Sequence, residues 1–425
     1  MADEFRFDAA GFMGNPVART PNLDRLAAGA VVFDQAYTPS PVCVPARQCL
    51  ATGRYPLHIG CEGFHHDIPP GSPTFARHFS AHGYYTVACG KLHHRGPDQM
   101  QGWMQRIGAE TAVAWPEGFS SRSQIGRLKW RGAPELKEAG AGLSPLALHD
   151  DYALRGACDF LTMHFGGLYA VPSETPVFLL LSLQQPHFPL LTEKPLLDHY
   201  LDRVPIYEDQ PPSGHPDLDA GRLGPEQDIH ASDIRRATAA YYGMVEQTDR
   251  RIGHLLETLA ASGQNLADWI VVFASDHGDM LGQHGLWGKR KFYEASARIP
   301  LFVSAPGLPP GRSSRLCNLV DLFPTLTDLC GLPTTSDLDG TSMFSPQDPG
   351  ETFCQHEHHH FMIRRDHWKY LRLPEGPDVL FDLASDPGET QNRIADPTCS
   401  AVAESLRVRL DEFAGPACES VQLPR

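Results

Sequence analysis

The sequence predicts an α/β protein: a large, mainly parallel mixed sheet sandwiched by helices, followed by a small C-terminal α+β subdomain. Three observations predict it. Amphipathic helical stretches alternate with short, wholly apolar runs. Polar residues with useful side-chain chemistry gather just after those runs, where an open parallel sheet carries its functional site. The texture then changes after about Met343, from alternation to a hairpin and a terminal helix. The expected division is 1–345 for the main α/β domain and 346–425 for the subdomain, with a small antiparallel sheet and a closing helix.

The elements follow in order. Thr20-Pro21-Asn22-Leu23-Asp24-Arg25-Leu26 starts a helix, with Thr20 as N-cap, Pro21 at the first position and leucines three apart. Val31 to Tyr37 follows as a strand. Pro73 to His82 reads as a helix closed by Gly83, and Tyr84 to Cys89 as the next strand. Asp151 to Phe165 is helical. Val177 to Leu183 is apolar throughout, the pattern of a strand buried on both faces. Ile234 to Leu259 is a long amphipathic helix, and Trp269 to Ala274 a second buried strand. Asp321 to Leu329 is a helix stopped by Cys330-Gly331-Leu332-Pro333. His367 to Arg372 and Val379 to Leu383 make a hairpin, and Ser400 to Phe413 the last helix. Pro205 to Gly224, rich in Pro, Gly and Asp, is a surface loop.

Composition narrows the function. A chain of 425 residues buries one large core with room for a satellite. No apolar run approaches the length of a membrane span. A net charge of −15 argues against a nucleic-acid partner, and any anionic substrate must be met by local cations. Ten cysteines without a C-x-x-C pair are not a disulfide scaffold; most read as buried thiols. Met1-Ala2-Asp3-Glu4 has no leader character, which reads as cytoplasmic, or as periplasmic or secreted if an N-terminal segment is missing.

The most informative stretch is Cys43-Val44-Pro45-Ala46-Arg47, running into Gln48-Cys49-Leu50-Ala51-Thr52-Gly53-Arg54. It resembles the signature of the type I, formylglycine-dependent sulfatases of the alkaline-phosphatase-like superfamily. Ala46 stands where Ser is commoner. Other blocks fall in the family's order: Gly14-Asn15-Pro16, Thr20 to Leu26, Ala36-Tyr37, Gly90-Lys91-Leu92-His93, and Pro186-His187-Phe188-Pro189. They continue with Ser275-Asp276-His277-Gly278-Asp279-Met280-Leu281-Gly282, Gly285-Leu286-Trp287-Gly288-Lys289, Leu380-Phe381-Asp382-Leu383 and Asp386-Pro387-Gly388-Glu389.

The resemblance implies an alkaline-phosphatase/sulfatase-like fold and a sulfuric ester hydrolase that splits a sulfate monoester into alcohol and inorganic sulfate. A maturation enzyme would oxidise Cys43 to formylglycine, whose hydrate is the nucleophile. Arg47 would hold the hydrate through its donor fork, and Lys91 and Lys289 would contact sulfate oxygens. His93 would be the base and His187 the acid, since histidine titrates near neutrality. His284 would lie one layer out. Sulfate esters repel nucleophiles, so the chemistry asks independently for a hard divalent cation. Asp3, Glu4, Cys43, Asp276 and His277 would bind it, with Ca²⁺ favoured and Mg²⁺, Mn²⁺ or Zn²⁺ open. The substrate would be a sulfated small molecule or glycan, with His65, His66 and His358 as candidate contacts. The run His356-Glu357-His358-His359-His360, read as a continuous strand, cannot converge on one metal.

The resemblance also implies an apolar strand ahead of the metal-binding pair. Asp3-Glu4 follows only Met1-Ala2, so the first strand is missing or truncated. Either the chain was started at an internal methionine, or Asp3 is poorly held near a mobile terminus. Glu4, where Asp, Gln or Asn is more familiar, adds a methylene. Two other functions stay open: a phosphonate monoester or phosphodiester hydrolase of the same superfamily, and a catalytically silent, sulfatase-like binding protein. Gly102 to Gly142 and Pro205 to Gly224 do not say whether the substrate is sugar, choline or aryl ester.

Overall fold

The computed structural model describes residues 1–108, 133–206 and 211–415. Residues 109–132 of the Gly102 to Gly142 segment, and 207–210 of the Pro205 to Gly224 loop, lie outside the described residues.

The chain opens with α1 (Pro21–Ala28), β1 (Val31–Tyr37), α2 (Cys43–Thr52), α3 (Phe75–Ala81), β2 (Tyr85–Gly90) and β3 (Gln105–Ile107). Next come α4 (Pro145–Phe165), β4 (Val177–Ser182), α5 (Ala231–Ala261), β5 (Val271–Ala274), β6 (Leu301–Ser304), β7 (Gly311–Asn318) and α6 (Leu322–Leu329). The C-terminal part holds β8 (Glu351–His356), β9 (His360–Arg365), β10 (Trp368–Arg372), β11 (Val379–Asp382) and α7 (Ser400–Ala414). Most elements fall within a few residues of the sequence expectation. The main correction is α4, which begins earlier at Pro145. Ser144 caps it by accepting from Leu146 N, and Pro145 occupies the first turn.

The strands form two blocks. β3, β2 and β4 are parallel, and β2 runs in register with β4 from Tyr85 opposite Val177 to Gly90 opposite Ser182. In the other block β7 pairs parallel with β1, while β6 runs antiparallel to β1 and to β5. Residues 1–3 join the blocks. Ala2 bridges Ser275 and Asp3 bridges Pro186, both in the parallel sense. The Met1 amino group donates to Leu181 O at 2.8 Å, and Leu183 N donates to Met1 O at 2.9 Å. The start of the chain is therefore a short strand between β4 and β5, and Asp3 is fully buried rather than loosely held.

Below that short strand β4 and β5 face each other across a slot of about 570 Å³, lined by Met1, Phe75, Phe178, Leu180, Val272 and Leu326 among others. The slot corrects one expectation. Val177–Leu180 and Val271–Val272 are only partly buried, not covered on both faces, because no strand pairs with their facing edges among the described residues. Helices cover both faces of the sheet. α4 and α5 pack on one side, where Val87, Cys89, Leu181 and Phe273 meet Phe160, Leu161, Tyr241 and Val245. α2, α3 and α6 pack on the other, where Phe33, Ala88, Leu301 and Val303 meet Leu50, Phe75, Phe79 and Leu322.

β8 to β11 form a four-stranded antiparallel sheet that packs on α7 through Phe353, Ile363, Leu406 and Leu410. The histidine run is not one strand. β8 ends at His356, Glu357 turns with φ +55°, and β9 starts at His360. The nine cysteines among the described residues are all unpaired, and all but Cys330 are buried.

Candidate active site

Most motif residues expected at the site reach it from the end of a strand or the start of a helix; Lys289 comes from the loop that follows Trp287. Cys43 is the first residue of α2, 2% exposed, at the end where the helix dipole favours negative charge. Its Sγ lies 2.9 Å from Lys289 Nζ, 3.2 Å from His277 Nε2 and 3.8 Å from Asp3 Oδ1. Burial pushes the thiol pKa up; Lys289 opposes this, while Asp276 and Glu4 add to it. An unmodified Cys43 is thus held as a protonated, weakly reactive thiol.

Arg47 sits one turn along α2 and ties three segments together. Its Nε donates to Asp276 Oδ2 at 2.8 Å, and its Nη1 donates to Lys91 O at 2.8 Å and Ser182 Oγ at 2.7 Å. Its Nη2 lies 3.4 Å from Asp3 Oδ2. Gly90 makes the approach of β2 to β4 possible: it has φ +97°, and a Cβ there would lie 2.1 Å from Ser182 O. Lys91 then reaches Asp3, and Lys289 lies 3.3 Å from Glu4 Oε2.

Beyond β5 the chain turns through Asp276-His277-Gly278. A Cβ on Gly278 would meet Ala295 O at 2.0 Å, so only glycine lets this loop close. Burial opposes the ionised form of Asp276, but Arg47, His277 and the two lysines outweigh it and hold its carboxyl well below the usual range. His277 is kept neutral, first by burial and then by Lys289 against the pull of Asp276. Its Nδ1 lies 3.0 Å from Gly278 O, so an Nδ1–H donor leaves the Nε2 lone pair facing Cys43.

The groups fit a cation. Asp3, Cys43, Asp276 and His277 each present a ligand atom, all within 4.8 Å of one another, and Asp3, Glu4 and His187 form an overlapping set. His187 carries a further sign. Its Nδ1 sits 2.7 Å from Phe188 O, which leaves the Nε2 lone pair 3.4 Å from the Glu4 carboxylate. Lone pair against carboxylate is repulsive unless a proton or a cation lies near both; Lys289, 3.3 Å from the same oxygen, meets part of that need. Charge agrees. The carboxylates of Asp3, Glu4 and Asp276 are matched by Arg47, Lys91 and Lys289, so a divalent ion leaves two positive charges. A singly charged ester and an ionised attacking oxygen bring that much negative charge.

His93 is buried with φ +60°, and burial, then Lys91, Arg47 and Lys289, push its pKa well down. His187 is pushed down in the same way, by burial and then by the two lysines. The expected substrate contacts lie further out. Phe64 packs edge-on against His93 at 5.7 Å and against exposed His65 at 5.5 Å. His66 and His358 face each other at 6.1 Å, and His358 Nδ1 is 2.9 Å from Glu62 Oε1. His284 is away from Cys43, stacked on Tyr293 at 3.9 Å.

Two supports were not expected from the sequence. Ser182 completes the Arg47 anchor. Asp150 accepts Gln184 N at 2.7 Å and Gln185 N at 2.9 Å, fixing the loop that carries His187. Neither residue lies in a motif. The one signal for Asp150 was the Ser144-Pro145 helix start, which puts it on the buried face of α4.

A buried cysteine at a helix start, beside a cluster of groups that could hold a metal and backed by lysines, arginine and histidines on an α/β sheet, is the plan of a hydrolase of anionic esters. Family models match accordingly: Sulfatase over residues 1–332, and the N-sulphoglucosamine sulphohydrolase C-terminal model over residues 282–415. A choline-sulfatase of Rhizobium meliloti (strain 1021) is 30% identical, covering 89% of this chain and 78% of the relative. An arylsulfatase of Clostridium perfringens is also 30% identical, covering 93% and 89%. A phosphonate monoester hydrolase of Agrobacterium radiobacter shares the fold, with TM-score 0.80, 22% identity and coverage of 98% and 94%. The chain belongs to the sulfatase family, within the alkaline-phosphatase-like superfamily, and is a sulfuric ester hydrolase. Among the described residues no helix is long and apolar enough to cross a membrane.

Proposed function

We propose that the enzyme cleaves a sulfate monoester with Cys43 matured to formylglycine and a divalent cation, Ca²⁺ in first place, held by Asp3, Glu4, Asp276 and His277. The observation that carries this reading is the placement of Cys43: a buried side chain at the start of α2 with Lys289 at 2.9 Å and His277 at 3.2 Å. As a thiol it has little to offer; as a matured residue it is surrounded by what an anionic reaction needs. Formylglycine supplies, as its hydrate, one hydroxyl to attack sulfur and a second to drive the release of sulfate. The cation supplies charge neutralisation and lowers the pKa of the attacking hydroxyl.

The chain's own residues do the rest. Lys91 and Lys289 bind the ester's oxygens as point charges, and Arg47 holds Asp3 and Asp276 in place while offsetting charge. Neutral His93 is ready to accept a proton at neutral pH. His187 must first take one to protonate the leaving oxygen. The arriving ester brings the negative charge that favours its protonated form, opposing the two lysines that now disfavour it. His65, His66 and His358 are proposed to meet the outer part of the substrate.

The test is peptide mass spectrometry across Cys43 on protein made with a formylglycine-generating enzyme, followed by sulfate release from phenyl sulfate. An aldehyde mass with sulfate release is the expected result. An aldehyde with faster cleavage of phenyl phosphonate or phosphodiester esters would move the enzyme to the phosphonate monoester or phosphodiester reading, since all these esters carry one negative charge. A thiol that persists beside an active maturation enzyme would overturn catalysis and leave a silent, sulfatase-like binding protein.

A further inference from the structure

A cavity of about 550 Å³ opens beside Lys289, the size of a small-molecule site. Its wall is basic, with Arg222, Arg290 and Lys291 as cations and His356 and His360 beside them. This is a local excess, since the chain as a whole carries −15. The lining carboxylate, Asp217, makes no direct pair with these groups: its Oδ2 accepts Glu375 N at 2.8 Å, and Lys291 Nζ donates to the Asp217 main-chain oxygen. Among the described residues Lys291 makes no ion pair within 4.0 Å; burial pushes its pKa down, and the more distant carboxylates of Asp217 and Asp219 oppose this only in part. His360 Nδ1 is buried without a hydrogen-bond partner, and burial lowers the pKa of that ring as well. A half-buried lysine whose only nearby carboxylates are not in direct contact with it gains from an anion that can reach it. Trp287 supplies an apolar wall beside them.

Resting on the sulfatase reading above, we infer that this cavity is a subsite for a second anionic group, so the preferred substrate carries a carboxylate or a further sulfate on its leaving-group side. The cavity begins at Lys289, which faces the cleaved ester. The left-handed turn at Arg290, φ +75°, then puts the next two cations on the cavity wall. An ester of a cationic alcohol meets like charge there and is a poor substrate. A polyanionic sugar ester, or an aryl ester with a second acid, meets Lys291 and His360 as donors.

The experiment compares kcat/KM of the matured enzyme and of Lys291→Met and His360→Gln on phenyl sulfate, 4-carboxyphenyl sulfate, 4-sulfophenyl sulfate and choline sulfate. The variants are expected to lose about tenfold more on the two dianions than on phenyl sulfate, a difference of about 1.4 kcal/mol. The carboxylate and sulfonate arms show which acid is preferred. Equal losses on all esters, or choline sulfate as the best substrate of the parent, would overturn the subsite. Calorimetric binding of 4-carboxyphenyl sulfate to Cys43→Ala protein reads the subsite without turnover. If phenyl sulfate is not hydrolysed at all, the hydrolase reading fails while this binding, and its weakening by Lys291→Met, still decides the subsite. Melting curves of both variants check that the fold is kept.

Discussion

Arg47 is the residue on which the site's geometry converges. Lysine keeps the charge but cannot span Asp276, Lys91 O and Ser182 Oγ at once. Arg47→Lys is therefore expected to lower kcat/KM on phenyl sulfate by about a hundredfold, close to 3 kcal/mol of transition-state stabilisation. A loss within a factor of three would assign Arg47 a packing role only. His284 gives a separate test through pH. Burial, then Arg222, pushes its pKa down to about 4, against the hydrogen bond to Gly388 O. Below pH ~6.5 the unfolded chain takes up this proton and the folded one does not. Stability is therefore lost as pH falls from about 6.5 toward 4, by at most about 1.4 kcal/mol per unit. His284→Asn should lack that term, so urea denaturation at pH 7.5 and 5 should show the variant gaining on the parent at the lower pH. Residues inside motifs were legible in the sequence because several reactive types recur at fixed spacing. Ser182 and Asp150 were not, because a lone serine or aspartate announces nothing about which donor it will meet.

At the level of elements, the junction of β2 and β4 sets the distance between Lys91 and Arg47. Gly90→Ala places a methyl against Ser182 O and forces a left-handed backbone on a residue with a side chain. A loss of about 3 kcal/mol or more is expected, read as a lower urea midpoint or insolubility; a melting point within a degree of the parent would mean that the strands can part at no cost. Strand positions were readable because apolar runs stop where Gly, Lys or Asp begins the loop. The partial exposure of β4 and β5 was not, because a run of apolar residues says that a partner is wanted and not that one is present. The histidine run misled for a related reason. Alternation assumes an uninterrupted strand, and the left-handed turn at Glu357 broke it.

For the molecule as a whole, fold class and site position followed from the alternation of helix and apolar strand. The slot between β4 and β5 depended on three-dimensional closure. It leaves an amine where a sheet would hold an amide: the half-buried Met1 amino group is held uncharged near neutrality, since burial, with Arg47 adding to it, lowers its pKa to about 5. Six apolar, β-branched residues placed ahead of Met1 are expected to raise the melting temperature by a few degrees, as the amine becomes an amide and the edges of β4 and β5 gain a partner. The same length with two prolines should give little of this, because proline cannot donate to either edge. No difference between the two extensions would show that the slot does not accept a strand.

Met1 is thus a position within the sheet and not on a free tail. A purification handle fused there begins inside the sheet, between two rows of main-chain donors and acceptors, before it reaches water. Two preparations that differ only in their leader sequence are expected to differ in melting behaviour, and in how firmly Asp3 is held beside Cys43.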